Sequence, residues 1–322
     1  MNPSGYRFLD KSGTVSSMFD AAFLLRVLVS ALLTVSGLSW LRWGLRPEQF
    51  GGPPATPPGD LPQTLPEPVS VPEPLEPIRW PLLAVFAMLF WVGTMIVSQI
   101  AEDTAPLWRS VKVAPTADEA TTSEKNPPRE LSDDALWASM VMGCIVFVGL
   151  GLLLFGSGSL RPDRLGITTE NWPDQILWGQ QAFTAAILPT FVLLVATMWF
   201  RTREAEHPFL RAIRDTPDQV PLLMMFFTAA IVAPLSEELV FRVTLQGWLA
   251  DIWHPRGAII TTAVIFSFVH GWRDGIALLP LSLILGYLYH VRRSFLAVVI
   301  AHGLFNATNM ALAVLGALSS SS

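Results

Sequence analysis

Charged residues are scarce in this sequence, at 15% of 322 residues against about 25% in an ordinary soluble domain. Cysteine is scarcer still: the only one is Cys144, which excludes an intramolecular disulfide and a zinc site built from several cysteines. The chain also lacks an excess of basic residues, since its net charge is -5, so we expect no nucleic-acid partner. Hydrophobic residues make up 51% of the chain, which excludes disorder throughout and leaves an apolar globule or a membrane protein.

The hydrophobic residues are gathered into long runs without charge. Residues 80–101, 135–160 and 175–200 contain no Asp, Glu, Lys or Arg, and each run reaches the roughly 20 residues that a helix needs to cross a bilayer. Shorter or more polar runs cover residues 219–236, 257–272, 275–291 and 294–322, and residues 21–41 are interrupted only by Arg26. These segments lack the charged outer face of soluble helices. The sequence therefore predicts an all-α, polytopic protein of the cell membrane, with about eight transmembrane helices in contact with the lipid bilayer.

Polar segments divide the chain into four parts. Residues 1–46 hold a short polar start and the first membrane segment. Residues 47–79 form a proline-rich linker, whose composition favours an extended spacer outside the bilayer over a partner-binding motif. Residues 80–218 contain additional membrane helices and polar loops, one of them predicted at 102–134. Residues 219–318 are the part in which polar groups interrupt the apolar runs.

Polar side chains occur at three places inside the C-terminal membrane segments, where ionisable groups are costly and mark functional sites by default. The candidates are Glu237, Glu238, Arg242, His270, His302, Asn306 and Asn309. On a helix, Glu238 and Arg242 are one turn apart and can pair, while Glu237 points about 100° away. Simpler interpretations stay open for each place: charges at the membrane interface, a structural histidine, or hydrogen bonds between helices.

These polar residues are predicted to lie at similar depths in the bilayer. With a rise of about 1.5 Å per residue, Glu237, His270 and His302 lie roughly 15, 20 and 12 Å from the same membrane face. We therefore expect their side chains to meet in one layer.

The residue types in that layer suit two chemistries. A carboxylate and a histidine can activate water, while a second histidine and an Asn amide can donate to an oxyanion, as amide hydrolysis requires. Two histidines and a glutamate could instead hold zinc and leave a position open for water.

The order of motifs, EExxxR, FxxxH and HxxxN, resembles the CPBP intramembrane proteases, which comprise type II CAAX prenyl endopeptidases and bacterial bacteriocin-processing or immunity (Abi) proteins. The motifs read Glu237-Glu238…Arg242, Phe266…His270 and His302…Asn306, and the resemblance covers about residues 219–318, which become the expected catalytic core. One departure is Val243, where the family often has Gly after the Arg.

The resemblance implies an intramembrane endopeptidase that needs no cofactor or metal and acts on a peptide or protein substrate in or at the membrane. It implies that Glu237 and His270 activate the water. His302 and Asn306 would form the oxyanion site, and Glu238 and Arg242 would support that geometry.

Other functions remain open on the sequence alone. The chain could be a non-catalytic membrane scaffold or a bacteriocin-immunity protein of the same fold, or a metal-dependent version of the protease. A proton-relaying transporter is disfavoured because the sequence shows no paired internal repeat.

Overall fold

A computed structural model of the chain describes residues 21–45, 78–111, 133–198 except 157 and 159, and 219–320. All regular secondary structure in these ranges is helical, which confirms the all-α prediction. We number the main helices α1 Ala21–Leu45, α2 Leu82–Val111, α3 Asp133–Phe155, α4 Trp172–Thr197, α5 residues 219–252, α6 Pro255–Val269, α7 Trp272–Arg292 and α8 Phe295–Ser320. The prolines of the predicted linker, between residues 47 and 77, lie outside the described residues.

Seven of these helices are long and apolar enough to cross a membrane, and the eighth, α6, is apolar but shorter. Large hydrophobic side chains such as Phe86, Phe90 and Ile145 point outward from α2 and α3. Such a surface would be an aggregation hazard in water, whereas lipid is a suitable environment for it. The protein is thus a multi-pass membrane protein, as its sequence predicts.

Helix α2 extends further than the sequence predicts. Its membrane-spanning part ends at Ala101, where the uncharged run ends, but the helix continues to Val111. The first ten residues of the loop predicted at 102–134 are therefore helical. A helix that is already nucleated adds one hydrogen bond for each residue it fixes, so polar residues can prolong it beyond the bilayer.

Helix α5 contains two π-helical parts and so changes its winding four times along its length. Its consecutive parts are the α-helical Gln219–Phe227, the π-helical Thr228–Val232, the α-helical Ala233–Glu238, the π-helical Leu239–Gln246 and the α-helical Gly247–Ile252. Pro234 is the second residue of the central α-helical part and has no N–H, so one helical hydrogen bond to the preceding turn is not made. The carbonyl groups of the preceding turn, on Ala229 and Ala230, face α8.

The centre of the fold is built by α5, α7 and α8. Phe241 of α5, Leu285 of α7 and Ala301 of α8 belong to one cluster of buried apolar residues. The segment before α4, residues 161–171, is held by hydrogen bonds to the end of α7 and the start of α8. There Tyr289 donates a hydrogen bond to the carbonyl oxygen of Leu165 at 2.8 Å, and the N–H of Phe295 donates to that of Gly166 at 2.9 Å.

Candidate active site

Glu237 lies between two histidines that come from different helices. Its Oε2 atom is 3.6 Å from Nε2 of His270 and 3.8 Å from Nε2 of His302. This Oε2 atom is buried and accepts no hydrogen bond from any described residue. The structure therefore brings together the three residues that the depth argument expected in one layer.

The other ring nitrogen of each histidine is already engaged. Nδ1 of His270 is 2.7 Å from the carbonyl oxygen of Phe266, and Nδ1 of His302 is 2.8 Å from Oε1 of Glu238. A carbonyl or carboxylate oxygen only accepts, so each Nδ1 carries a hydrogen and donates it. In the neutral form of each ring, the lone pair is then on the Nε2 atom that faces Glu237.

A buried ion pair between Glu238 and Arg242 lies next to His302. Glu238 and Arg242 are both fully buried, and Oε2 of the glutamate is 3.1 Å from Nε of the arginine. Arg242 also donates a hydrogen bond from Nη2 to Ser282 of α7 at 3.0 Å, and its guanidinium lies 5.0 Å from the ring centre of Phe266. These contacts hold Glu238 in place, and Glu238 in turn orients the ring of His302.

Phe266 connects the parts of the site through its ring. The ring centre is 4.4 Å from that of His270 and 5.7 Å from that of His302, while Phe241 packs edge-on at 5.1 Å. The FxxxH motif thus supplies both a carbonyl acceptor and an apolar wall against which both imidazoles rest.

A tight turn between α6 and α7 positions His270. Helix α6 has 15 residues and is about 22 Å long, so it ends before it could cross the apolar core of a bilayer, which is about 30 Å thick. His270 ends the helix, and Gly271 reverses the chain with φ of 88°, a conformation that favours glycine. Close to the turn, a Cβ atom on Gly275 would clash with the carbonyl oxygen of Ser267, so α7 can fold back only because residue 275 is glycine.

Asn306 contacts the first π-helical part of α5. Its Nδ2 donates a hydrogen bond at 2.9 Å to the carbonyl oxygen of Ala229, in the turn before Pro234. Gly303 allows this approach, because a Cβ atom there would lie 2.6 Å from the carbonyl oxygen of Ala230. Asn306 has a second N–H on the same nitrogen, which remains available to a ligand.

Asn309 does not share this environment, although it is a sequence candidate and its spacing from His302 and Asn306 places the three on one face of an ideal helix. It is exposed, and the residue that α8 buries at this level is Met310, which packs with Leu136 and Met225. The polar stripe of α8 therefore ends at Asn306.

Exposure differs between the two halves of the site. The side chains of His270 and Glu237 are 27% and 17% exposed, whereas those of His302 and Glu238 are 3% and 0% exposed. Access to Glu237 is therefore from the side of the α6–α7 turn, and His302 forms the inner wall.

The site includes donor atoms that zinc uses in proteins. Imidazole nitrogens and a carboxylate converge, and each Nδ1 donates to an oxygen, as is usual for histidines that bind zinc. In the part of the chain that the structure describes, however, no three His, Cys, Asp or Glu side chains are arranged so that they could hold a metal ion.

Some contributors to the site have no signature in the sequence. Ser282 and the carbonyl group of Ala229 are ordinary constituents of apolar helices, and only packing reveals that they contact Arg242 and Asn306. The pairing of His302 with Glu238 also joins residues that are 64 positions apart. His254, to which the sequence analysis gave no role, caps α6 by accepting a hydrogen bond from the N–H of Gly257 at 2.9 Å.

Comparison with protein families gives a match over the part of the chain that contains this site. Residues 219–308 match the family described as type II CAAX prenyl endopeptidase Rce1-like. This match confirms the resemblance that the motifs indicate. The matched segment includes all six residues that the motifs assign to the site, namely Glu237, Glu238, Arg242, His270, His302 and Asn306.

Curated relatives of the chain come from Lactococcus lactis. The UPF0177 protein in the abiGi 5' region, from subspecies cremoris, is 35% identical over 128 residues, which are 38% of this chain and 54% of the relative. The UPF0177 protein YxdF, from subspecies lactis, is 34% identical over 98 residues, which are 29% of this chain and 51% of the relative. The chain thus spans about half the length of these relatives. No solved structure gives a significant match.

Proposed function

We propose that the protein is an intramembrane endopeptidase that hydrolyses a peptide bond with a water activated by Glu237 and His270. The observation that carries this proposal is the convergence of two Nε2 atoms on the unpartnered Oε2 atom of Glu237, at 3.6 and 3.8 Å. A water in this position can donate one hydrogen to the carboxylate and the other to an imidazole, which orients its oxygen toward a substrate.

The reaction follows from these positions. The water oxygen bonds to the carbonyl carbon of the substrate while one proton passes to Glu237, and the carbonyl oxygen becomes an oxyanion. The protonated Glu237 then delivers that proton to the amide nitrogen, the C–N bond breaks, and a carboxylic acid and an amine leave. The metal-free reaction thus needs no group beyond the chain, the substrate and water.

In this proposal His302 and Asn306 stabilise the oxyanion. The free N–H of Asn306 can donate directly. His302 uses Nδ1–H for Glu238, so its Nε2 can donate only when the ring carries both protons.

The decisive variant is Glu237→Gln, which keeps the shape of the side chain but accepts a proton poorly. We expect peptide cleavage by the protein in nanodiscs to fall by about 10²–10⁴-fold, as is typical when a general base is lost. Cleavage would be followed with a library of internally quenched peptides, and ¹⁸O from labelled water should appear in the new carboxyl terminus. Glu170→Gln, in an exposed loop, is the matched control and should remain fully active.

Two results would contradict this proposal. Full activity of Glu237→Gln would show that Glu237 is not the catalytic base. Absence of cleavage by the folded parent protein across the library would favour a non-catalytic membrane scaffold. Zinc bound at one ion per chain, with activity lost to a chelator and restored by zinc, would establish the metal-dependent version instead.

A second variant, Asn306→Ala, tests whether Asn306 donates a hydrogen bond to the oxyanion. We expect cleavage to fall by about 10²–10³-fold, as for the loss of one oxyanion donor, with KM little changed. A loss of thermal stability with unchanged kcat would show instead that Asn306 only anchors α8 to Ala229.

A further inference from the structure

A second concave site lies between α1, α4 and α7 and includes none of the six residues described above. It is a cavity of about 620 Å³, within the size range of small-molecule sites. We call it the Trp–Arg pocket, after Trp40, Arg42, Trp43, Trp178 and Arg292, which line it together with apolar residues such as Ile284.

The pocket changes from charged to apolar along its depth. Arg42 and Arg292 belong to the last turns of α1 and α7, which end at the same membrane face as α4 begins. Ile284 lies two turns earlier in α7, about 12 Å deeper. Because tryptophan and arginine sit at headgroup level in membranes, the mouth of the pocket faces headgroups and its floor faces acyl chains.

The charge of the pocket is positive. Among the described residues that line it there are two arginines and no Asp or Glu, and neither guanidinium forms an ion pair with a described residue. The guanidinium of Arg292 lies 4.8 Å from the ring centre of Trp178, which keeps it at the mouth. Two uncompensated cations above an apolar floor match a molecule with an anionic head and a hydrocarbon tail.

We propose that the Trp–Arg pocket binds one anionic glycerophospholipid. The phosphate lies between Arg42 and Arg292, and the first carbons of one acyl chain run along Ile284 and Leu288. The lipid also stabilises the packing of α1 on α4. The hydrogen bonds between these helices include those from Ser36 to the carbonyl oxygen of Thr184 and from Trp40 to that of Ala185.

Native mass spectrometry of the full chain tests the lipid site. The protein would be mixed with equimolar phosphatidylglycerol and phosphatidylcholine, and the adducts with one lipid counted. We expect phosphatidylglycerol to be retained over phosphatidylcholine by at least about tenfold, because both lipids carry a phosphate but only phosphatidylcholine carries a choline cation, which the two arginines repel. The double variant Arg42→Gln/Arg292→Gln should lose this preference.

Matched controls separate the pocket from general surface charge. The double variant Arg164→Gln/Arg256→Gln removes two exposed arginines near the same membrane face and should keep the preference. Ile284→Trp fills the floor and leaves both arginines in place, so it should lose the adduct even if the double arginine variant fails to fold. Leu223→Trp, at a position 69% exposed on α5, should have no effect.

Three outcomes would overturn the proposal. The first is equal retention of the two lipids by the parent protein. The second is an unchanged preference in the folded double arginine variant or in Ile284→Trp. The third is displacement of the lipid by an equal concentration of glycerol phosphate, which would show a site for free phosphate groups and no role for the acyl chain.

Discussion

Glu238 and Arg242 are the most deeply buried charges of the site, and each depends on the other. Removing one partner of a buried pair leaves a charge without compensation, which costs about 3–5 kcal/mol. We therefore expect Glu238→Gln to lower the thermal unfolding midpoint in detergent markedly and to reduce activity in part through stability. Because the amide of Gln can still accept from His302, the loss of kcat should be smaller than in Glu237→Gln.

A double variant separates the contribution of Glu238 to stability from its contribution to activity. Glu238→Gln/Arg242→Met removes both charges at similar volume and should recover much of the lost stability, because a buried pair is often replaceable by apolar groups. Its kcat should not rise with the recovered stability, since His302 is held by a Gln amide in place of the Glu238 carboxylate in both variants. A single variant Glu238→Gln as stable as the parent protein would contradict the account of the ion pair.

At the scale of helices, the contact of α8 with the first π-helical part of α5 depends on Gly303. Gly303→Ala places a methyl group 2.6 Å from the carbonyl oxygen of Ala230, so the helices must separate. We expect a destabilisation of about 1–3 kcal/mol, as in overpacked cores, together with loss of the Asn306–Ala229 hydrogen bond and of activity. Thermal unfolding and the cleavage assay measure the two effects.

Gly316→Ala is the matched control on the same helix. A Cβ atom at residue 316 meets nothing within 4 Å, so stability and activity should be retained. Equal effects of the two substitutions would mean that the close approach at Gly303 is unimportant.

The sequence predicts the helices better than it predicts their internal geometry. Runs without charge locate the membrane helices because the bilayer excludes charge along the whole length of a span. The i,i+4 spacing also predicts the Glu238–Arg242 pair correctly. The π-helical parts of α5 are missed because the sequence indicates only a kink at Pro234. The exposure of Asn309 is missed because helical periodicity alone cannot tell that Met310 packs into the neighbouring helices instead.

At the scale of the whole molecule, α1, α2 and α3 each cross the membrane once. These crossings determine on which side of the membrane the first two polar segments lie. The segment between α1 and α2 and the segment between α2 and α3 must then lie on opposite faces of the membrane. In a Cys144→Ser background, we expect Ser70→Cys and Thr121→Cys, both outside the described residues, to react with a membrane-impermeant maleimide from opposite sides. Labelling of both from one side would contradict this topology.

The short α6 has a consequence for the membrane around the protein. A helix of about 22 Å in a bilayer core of about 30 Å creates a negative hydrophobic mismatch, which lipids relieve by thinning locally and water relieves by entering. The relief occurs at the α6–α7 turn, beside His270. Under the proposed function, the reaction rate should therefore depend on the thickness of the host membrane: shorter acyl chains would bring bulk water and the substrate backbone nearer to Glu237, and longer ones would hold them away.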